Sequence, residues 1–209
     1  MFVSGLFITL EGPEGSGKTT AALKIVDTLK TLGYEVVYTR EPGGIEIAEQ
    51  IRQVILDPKN TAMDAKTEAL LYAASRRQHL VEKVMPALQT DKIVLCDRFV
   101  DSSLVYQGMG RNLGIETVYQ MNLFAIEDVM PDLTIFFDVE PTVGLARIAA
   151  DNTREVNRLD METIEFHQKV YEGYLEVARH FPNRIQSIDA SQNQDTVFEQ
   201  CLSLIKSRL

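Results

Sequence analysis

The sequence predicts an α/β fold: a parallel sheet of five strands with helices on both faces. Three observations lead there. Five short apolar runs recur along the chain, each of the kind that forms a strand covered on both faces. Helical periodicity fills the intervals between them. The first run ends in a glycine-rich turn that opens directly into a helical pattern.

In order, Leu6-Phe7-Ile8-Thr9-Leu10 is the first strand. Ala22, Ile25, Val26 and Leu29 then recur at helical spacing, and Gly33 stands where a C-terminal cap belongs. Glu35 to Thr39 reads as the second strand, followed by a Pro42-Gly43-Gly44 turn. A helix through Ile47, Ile51 and Ile55 is stopped by Asp57-Pro58, because a residue before proline is driven out of helical geometry. Asp64 introduces a long helical stretch carrying Leu70, Ala73, Ala74, Val81 and Val84. Ile93 to Cys96, Leu133 to Val139 and Ile185 to Ile188 are the remaining strands. Further helical faces are Tyr171, Tyr174, Leu175 and Ala178, then Val197, Cys201, Leu204 and Ile205. Asp151 to Asn157 lacks apolar patterning and fits either a plain exposed loop or a mobile cover over a site.

At 209 residues the chain suits one domain, with or without an appended lid. Apolar residues at 45% and charged residues at 24% exclude a disordered or fibrous chain. No apolar run reaches the roughly 18 residues that span a bilayer, and the apolar opening lacks the basic start of a signal peptide. A cytoplasmic protein is expected. A net charge of −9 has the wrong sign for a general nucleic-acid or anionic-membrane binder. Cys96 and Cys201 lack metal-type spacing, and His79, His167 and His180 are scattered, so a zinc site has little support.

The strongest local signal is Gly12-Pro13-Glu14-Gly15-Ser16-Gly17-Lys18-Thr19, a complete G-x-x-x-x-G-K-[ST] match placed between strand and helix. Glycines let backbone N–H groups turn around phosphate oxygens, and the helix N-terminus adds favourable dipole charge. Lys18 is expected to bridge the β- and γ-phosphates and Thr19 to hold Mg²⁺. The spacing therefore predicts a nucleoside triphosphate site and refines the fold to a three-layer P-loop NTPase architecture. The Asn-Lys-x-Asp guanine reader of GTPases is absent from the chain.

Arginine is concentrated near these segments: Arg40, Arg52, Arg76, Arg77, Arg98, Arg111, Arg147, Arg154 and Arg158. Any one of them fits a solvated face, but together in an acidic chain they suggest a cavity holding several phosphates. Tyr72 and Arg76, four apart on a helix, suit a flat heteroaromatic ring; they equally suit a Tyr packed on the core beside an Arg reaching to solvent. Asp97-Arg98-Phe99 ends a buried strand, where a carboxylate can organise a metal's water shell or form a structural ion pair.

With these pieces in place, the chain resembles the bacterial thymidylate kinases over essentially its whole length. The matching segments are Glu11 to Thr20, Thr39-Arg40-Glu41-Pro42-Gly43-Gly44, Ala73-Ala74-Ser75-Arg76-Arg77, Asp97 to Gly108, Pro131-Asp132-Leu133-Thr134 and Asn157-Arg158-Leu159-Asp160. Asp97-Arg98-Phe99 running on to Tyr106-Gln107 is the most specific of them.

The resemblance implies phosphoryl transfer from ATP to dTMP with Mg²⁺, by a homodimer of single-domain subunits carrying a lid at about 147–160. It implies that Tyr72 stacks on thymine, Arg76 bonds its edge, and Gln107 and Ser103 fix the base. Tyr106 would crowd the sugar 2′ position, and Arg98, Arg52 and Glu41 would complete the dTMP site. Gly12 to Thr19 would bind ATP, Thr19 and Asp97 would organise the metal, and Glu14 would orient the acceptor or its waters. Phe99 stands where Tyr is common and Tyr72 where Phe is common; both changes keep the ring. Some members carry an arginine inside the P-loop, whereas this chain has Pro13, Glu14 and Ser16. The transition-state cation is then expected from Arg147, Arg154 and Arg158, with Lys18 and Arg98 as the other catalytic charges. Arg154 and Arg158, four apart, are expected on one side of a closing turn. Apolar residues between Leu70 and Met85, or Met121 to Ile126, are candidates for the dimer face. The alternatives are a kinase for another pyrimidine (deoxy)nucleoside monophosphate and a P-loop ATPase switch protein.

Overall fold

A computed structural model describes residues 5–150 and 157–209. Five strands, β1 (Leu6–Glu11), β2 (Val36–Arg40), β3 (Ile93–Asp97), β4 (Leu133–Asp138) and β5 (Ile185–Asp189), form one sheet in the order β2-β3-β1-β4-β5. Every pairing is parallel. The α/β class, the strand count and the flanking helices expected from the sequence are all present.

Alternation along the strands distributes the core to two faces. Ile8, Leu10, Ile93, Leu95, Ile135 and Phe137 pack with α1 (Lys18–Thr31) and, further along the chain, the C-terminal α9 (Gln194–Lys206). The intervening Phe7, Val94, Cys96 and Phe136 point to the opposite face. Helical residues wait there too, among them Leu80, Val84, Val170 and Tyr174. A strand buried on both sides has no polar side to alternate with, which is why these segments read as unbroken apolar runs.

Between the strands lie α2 (Glu46–Leu56), α3 (Ala65–His79), α4 (Met85–Gln89), α5 (Val100–Ser103), α6 (Ile115–Ile126), α7 (Pro141–Ala150) and α8 (Ile164–His180). Asp64 caps α3, its carboxylate accepting from the Lys66 and Thr67 backbone at 3.0 and 3.1 Å. The stretch expected to run as one helix from Asp64 divides. A wide π-helical turn, Leu80–Val84, separates α3 from α4. Pro86 follows it in the first turn of α4, where its missing N–H and its ring are tolerated. A second π-helical segment, Leu104–Gly110, continues α5, and a short 3₁₀ turn, Arg158–Met161, precedes α8.

The register brings Leu10 beside Asp97 and Asp97 beside Arg40. The carboxyl ends of the three neighbouring strands therefore present Glu11-Gly12, Asp97-Arg98 and Arg40-Glu41 at one edge, where open parallel sheets bind ligands.

Candidate active site

The loop after β1 turns sharply at glycines before α1 begins at Lys18. Gly17 has φ 90°, a left-handed conformation that disfavours any side chain. Gly15, at φ 70°, sits so close to α7 that an added Cβ would run into the Gly144 backbone. The Lys18 ammonium donates to the carbonyls of Gly12 (3.0 Å) and Pro13 (2.9 Å) and to Ser16 Oγ (3.1 Å). Burial and the neighbouring Arg98 cation pull Lys18 down to about 8. Thr19 Oγ1 donates to Asp97 Oδ2 at 2.7 Å, joining the start of α1 to the end of β3.

Two cavities open at this edge. The larger, about 940 Å³, runs from Glu14 to Thr20 along the loop and continues past Asp97 to Arg147 and Asn193. The smaller, about 110 Å³, is lined by Tyr72, Arg76, Tyr106, Gln107, Phe99 and Leu159 among others. Glu14, Glu41, Arg52 and Arg98 line both. A group held in one cavity thus meets a group held in the other across a carboxylate-and-guanidinium junction.

Arg98 is built into that junction at the cost of an unfavourable backbone, φ 70°. Its guanidinium donates to Glu14 Oε1 (2.8 Å), Gly12 O (3.1 Å), Ser102 Oγ (3.2 Å) and the Tyr174 hydroxyl (3.1 Å). Burial opposes the charge, but Glu14, Tyr106, Tyr174 and Asp97 together outweigh it and keep Arg98 firmly cationic. Behind it, the fully buried Glu11 accepts from the Phe99 N–H (2.7 Å), Ser102 Oγ (2.6 Å) and Tyr174 OH (3.0 Å). Burial, reinforced by the charge of Asp101, pushes Glu11 up to about 7. Arg52 donates to the Pro42 carbonyl at 2.9 Å, and burial together with Arg40 lowers its pKa.

The Tyr72–Arg76 pair expected from helical spacing does line one cavity, and Tyr106 and Gln107 line it too. Arg76 is only 1% exposed. Its Nε donates to Glu41 Oε2 (2.7 Å) and its other nitrogens to Ser103 Oγ (3.0 Å), the Phe99 carbonyl (2.9 Å) and Asn122 Oδ1. Glu41 is held from its other oxygen by His79 Nδ1 at 2.9 Å. Ser103, expected to help fix the base, lines neither of the two cavities, and its hydroxyl accepts from Arg76. The reason is local: Ser103 ends α5 on the side facing Arg76's buried guanidinium.

Of the expected lid arginines, Arg147 and Arg158 stand apart. Arg147 lines the larger cavity and donates to the Ala190 carbonyl at 3.1 Å. Arg154 lies outside the described residues. Arg158 lines neither cavity: it is 6% exposed and donates to Glu68 Oε2 (2.6 Å) and the Ile55 carbonyl (2.8 Å). The buried Glu68 carboxylate requires a cation, and Arg158 together with Arg111 supplies it. Glu11, Glu68, His79, Asn122 and Tyr174 are the site-supporting residues that sequence reasoning missed. Two of them carried a signal: Glu11 opens the matching P-loop segment, and Glu68 lies one helical turn before Tyr72.

A family model described as "Thymidylate kinase" matches residues 10–201. The thymidylate kinase of Bacillus cytotoxicus is 58% identical over 207 residues, covering 99% of this chain and 100% of that protein. The thymidylate kinase of Clostridium novyi is 58% identical over 202 residues, covering 97% and 98%. The crystal structure of thymidylate kinase from Ehrlichia chaffeensis matches with a TM-score of 0.79 at 32% identity, covering 97% of this chain and 99% of that one.

Proposed function

The chain belongs to the thymidylate kinase family, and from that premise we propose how it transfers the γ-phosphoryl group of ATP to dTMP, giving dTDP and ADP. The observation that carries the reading is the pair of cavities meeting at Glu14, Glu41, Arg52 and Arg98. The larger takes ATP through the loop Gly12 to Thr19, and the smaller takes dTMP.

In the smaller cavity Tyr72 stacks on the thymine ring, and Arg76 and Gln107 meet its polar edge. Tyr106 lies beside the sugar, and Arg52 and Arg98 hold the acceptor phosphate. Glu41 and Ser103 act on dTMP through Arg76. A phosphate monoester has a second pKa of about 6, so near pH 7 the acceptor is mostly a dianion and a ready nucleophile. No general base is required. The difficulty is bringing one anion in line with another, so catalysis is positioning and charge neutralisation by Lys18 and Arg98. Glu14, bonded to Arg98 at 2.8 Å and to Tyr106 at 3.3 Å, keeps the guanidinium aimed at the junction. Arg147 serves the ATP side. Arg154 remains part of the proposed lid at about 147–160, and Arg158 holds that lid's exit through Glu68.

Mg²⁺ fits the residues present. Thr19 and Asp97 offer two hard oxygens side by side at the phosphate end of the loop. That is the sparse protein contribution Mg²⁺ takes when phosphates and waters complete its shell. The ion's chemistry is neutralisation of β- and γ-phosphate charge. The described residues hold no cluster of three or more His, Cys, Asp or Glu that would favour a metal caged by protein alone.

The dimer is proposed on the α3–α6 face, where Leu70 and Phe124 are exposed, Phe124 by 92%, with Val81 exposed on the π-helical turn that follows α3. No helix among the described residues is long and apolar enough to cross a membrane. The cytoplasmic placement rests on the nucleotide substrates. Calorimetric titration of Tyr72→Ala tests the assignment of cavities: dTMP affinity should fall at least about tenfold, the scale of one lost stacking contact, while ATP affinity stays put. Equal losses for both nucleotides would reject it.

A further inference from the structure

Gln107 lines the smaller cavity, yet its Nε2 points away from it, donating to Glu68 Oε1 at 2.9 Å. Among the described residues no donor reaches the Gln107 Oε1. Glu68 itself is fully buried and crowded with cations. Arg158 donates to Oε2 at 2.6 Å, and Arg111 Nε to both oxygens at 3.2 Å. Burial alone would raise its carboxyl, but the hydrogen bonds from Arg111, Gln107 and Arg158 outweigh burial and hold it below the ordinary carboxylate range. An ionised carboxylate can only accept. Gln107 therefore has one permitted orientation: NH₂ toward Glu68, carbonyl oxygen toward the cavity.

We propose that Glu68 is a positioning residue that sets base specificity, fixing the polarity of Gln107 so that its amide oxygen accepts from the N3–H of thymine. The inference rests on the dTMP assignment above and deepens it. Thymine and uracil carry a donor at N3, whereas cytosine carries an acceptor there. With Gln107 locked, cytosine brings one lone pair against another in a closed site, and an unmade buried hydrogen bond is far costlier than a made one is favourable. Turning Gln107 to suit cytosine would set its carbonyl oxygen against the Glu68 carboxylate. The discrimination thus originates two bonds from the base, in a side chain that does not line the cavity.

The test compares kcat/KM for dTMP and dCMP in wild type, Glu68→Gln and Gln107→Met, with KM for ATP and thermal melting as controls. A glutamine at position 68 can donate as well as accept, so Gln107 is released to invert. The dTMP-over-dCMP preference of Glu68→Gln should drop at least about tenfold, the scale of one buried hydrogen bond made or lost, with KM for ATP unchanged. General loosening of the site would lower both substrates and keep the ratio. A folded Glu68→Gln enzyme whose preference stays within about twofold of wild type, well under one hydrogen bond's worth, overturns the proposal. Gln107→Met separates the failures. Unchanged dTMP kinetics there would reject the base site itself, whereas a loss of dTMP activity beside an unaltered Glu68→Gln ratio would reject Glu68 alone. If Glu68→Gln melts below the assay temperature, ¹⁵N spectra of the wild-type chain decide. The Gln107 side-chain amide, identified by its absence in Gln107→Met, should exchange slowly and show two widely separated protons. Shifts and exchange like those of surface glutamines would overturn the proposal.

Discussion

Replacing Arg158 by Ala tests whether this arginine holds the structure or strikes the phosphates. Its guanidinium is buried and reaches Glu68 at 2.6 Å and the Ile55 carbonyl at 2.8 Å. Removing one partner of a buried ion pair typically costs about 3–5 kcal/mol. Here Arg111 remains on the same carboxylate at 3.1 Å, which brings the charge part down to about 2 kcal/mol. The orphaned Ile55 carbonyl adds about 1 kcal/mol. A total near 3 kcal/mol, at about 2–4 °C per kcal/mol for a chain of this size, lowers the melting temperature by about 6–12 °C. Thermal denaturation followed by far-ultraviolet circular dichroism reads this directly, and Arg158→Lys should restore part of it. A catalytic cation that touches phosphate only in the transition state makes the opposite pattern: an unchanged melt, with turnover and kcat/KM falling together. A melting temperature within about 2 °C of wild type, less than 1 kcal/mol at this size, would refute the structural reading of Arg158.

Lys18→Ala should cut turnover by at least about 10²-fold while leaving the fold intact, since it removes phosphate charge stabilisation and no core packing; near-normal turnover would sink the cradle assignment. Because Lys18 sits at about 8, kcat/KM for ATP should decline on the alkaline side with an apparent pKa near that value, and a flat profile up to pH 9.5 would contradict it. Glu11 is raised from 4.5 to about 7, so the folded state binds this proton more tightly than the unfolded state does. Its stabilising contribution is therefore present in acid and is lost as pH climbs from about 4.5 to about 7. Denaturant midpoints of Glu11→Gln should lose that pH slope, and parallel profiles for wild type and variant would argue against the assignment. Phe124→Asp should turn the proposed dimer into monomers in sedimentation velocity, with an unaltered sedimentation coefficient counting against the α3–α6 face.

What was legible in the sequence was what is local. The strands were, because each is covered on both faces and so leaves a continuous apolar run. The P-loop was, because its chemistry needs glycines and a lysine at fixed offsets on one turn. The Tyr72–Arg76 pair was, because four residues make one helical turn. The π-helical turn before Pro86 was not, since apolar spacing continues through it while the backbone widens. The supporting network was not legible either, because its members meet only in three dimensions. Arg158 and Glu68 are 90 residues apart in sequence, and Tyr174 and Glu11 are 163 apart. Tyr174 reads as one more apolar residue on a helix, and nothing near it says that its hydroxyl braces both Glu11 and Arg98. Ser103 and Arg158 lay in matching motifs but turned out to face other side chains, because buried guanidinium and carboxylate groups take whichever partner can satisfy them.

If the two cavities that meet at Arg98 hold the two nucleotides, ATP is consumed only when a thymidylate-like acceptor fills the second. Coupled ADP release from the full chain, with ATP and Mg²⁺ saturating and dTMP, dUMP, UMP or CMP offered in turn, tests it most directly. ADP release should be rapid with dTMP, slower with dUMP, and little above the acceptor-free rate with UMP or CMP. ADP release that is as fast without an acceptor, or fastest with UMP or CMP, would contradict it.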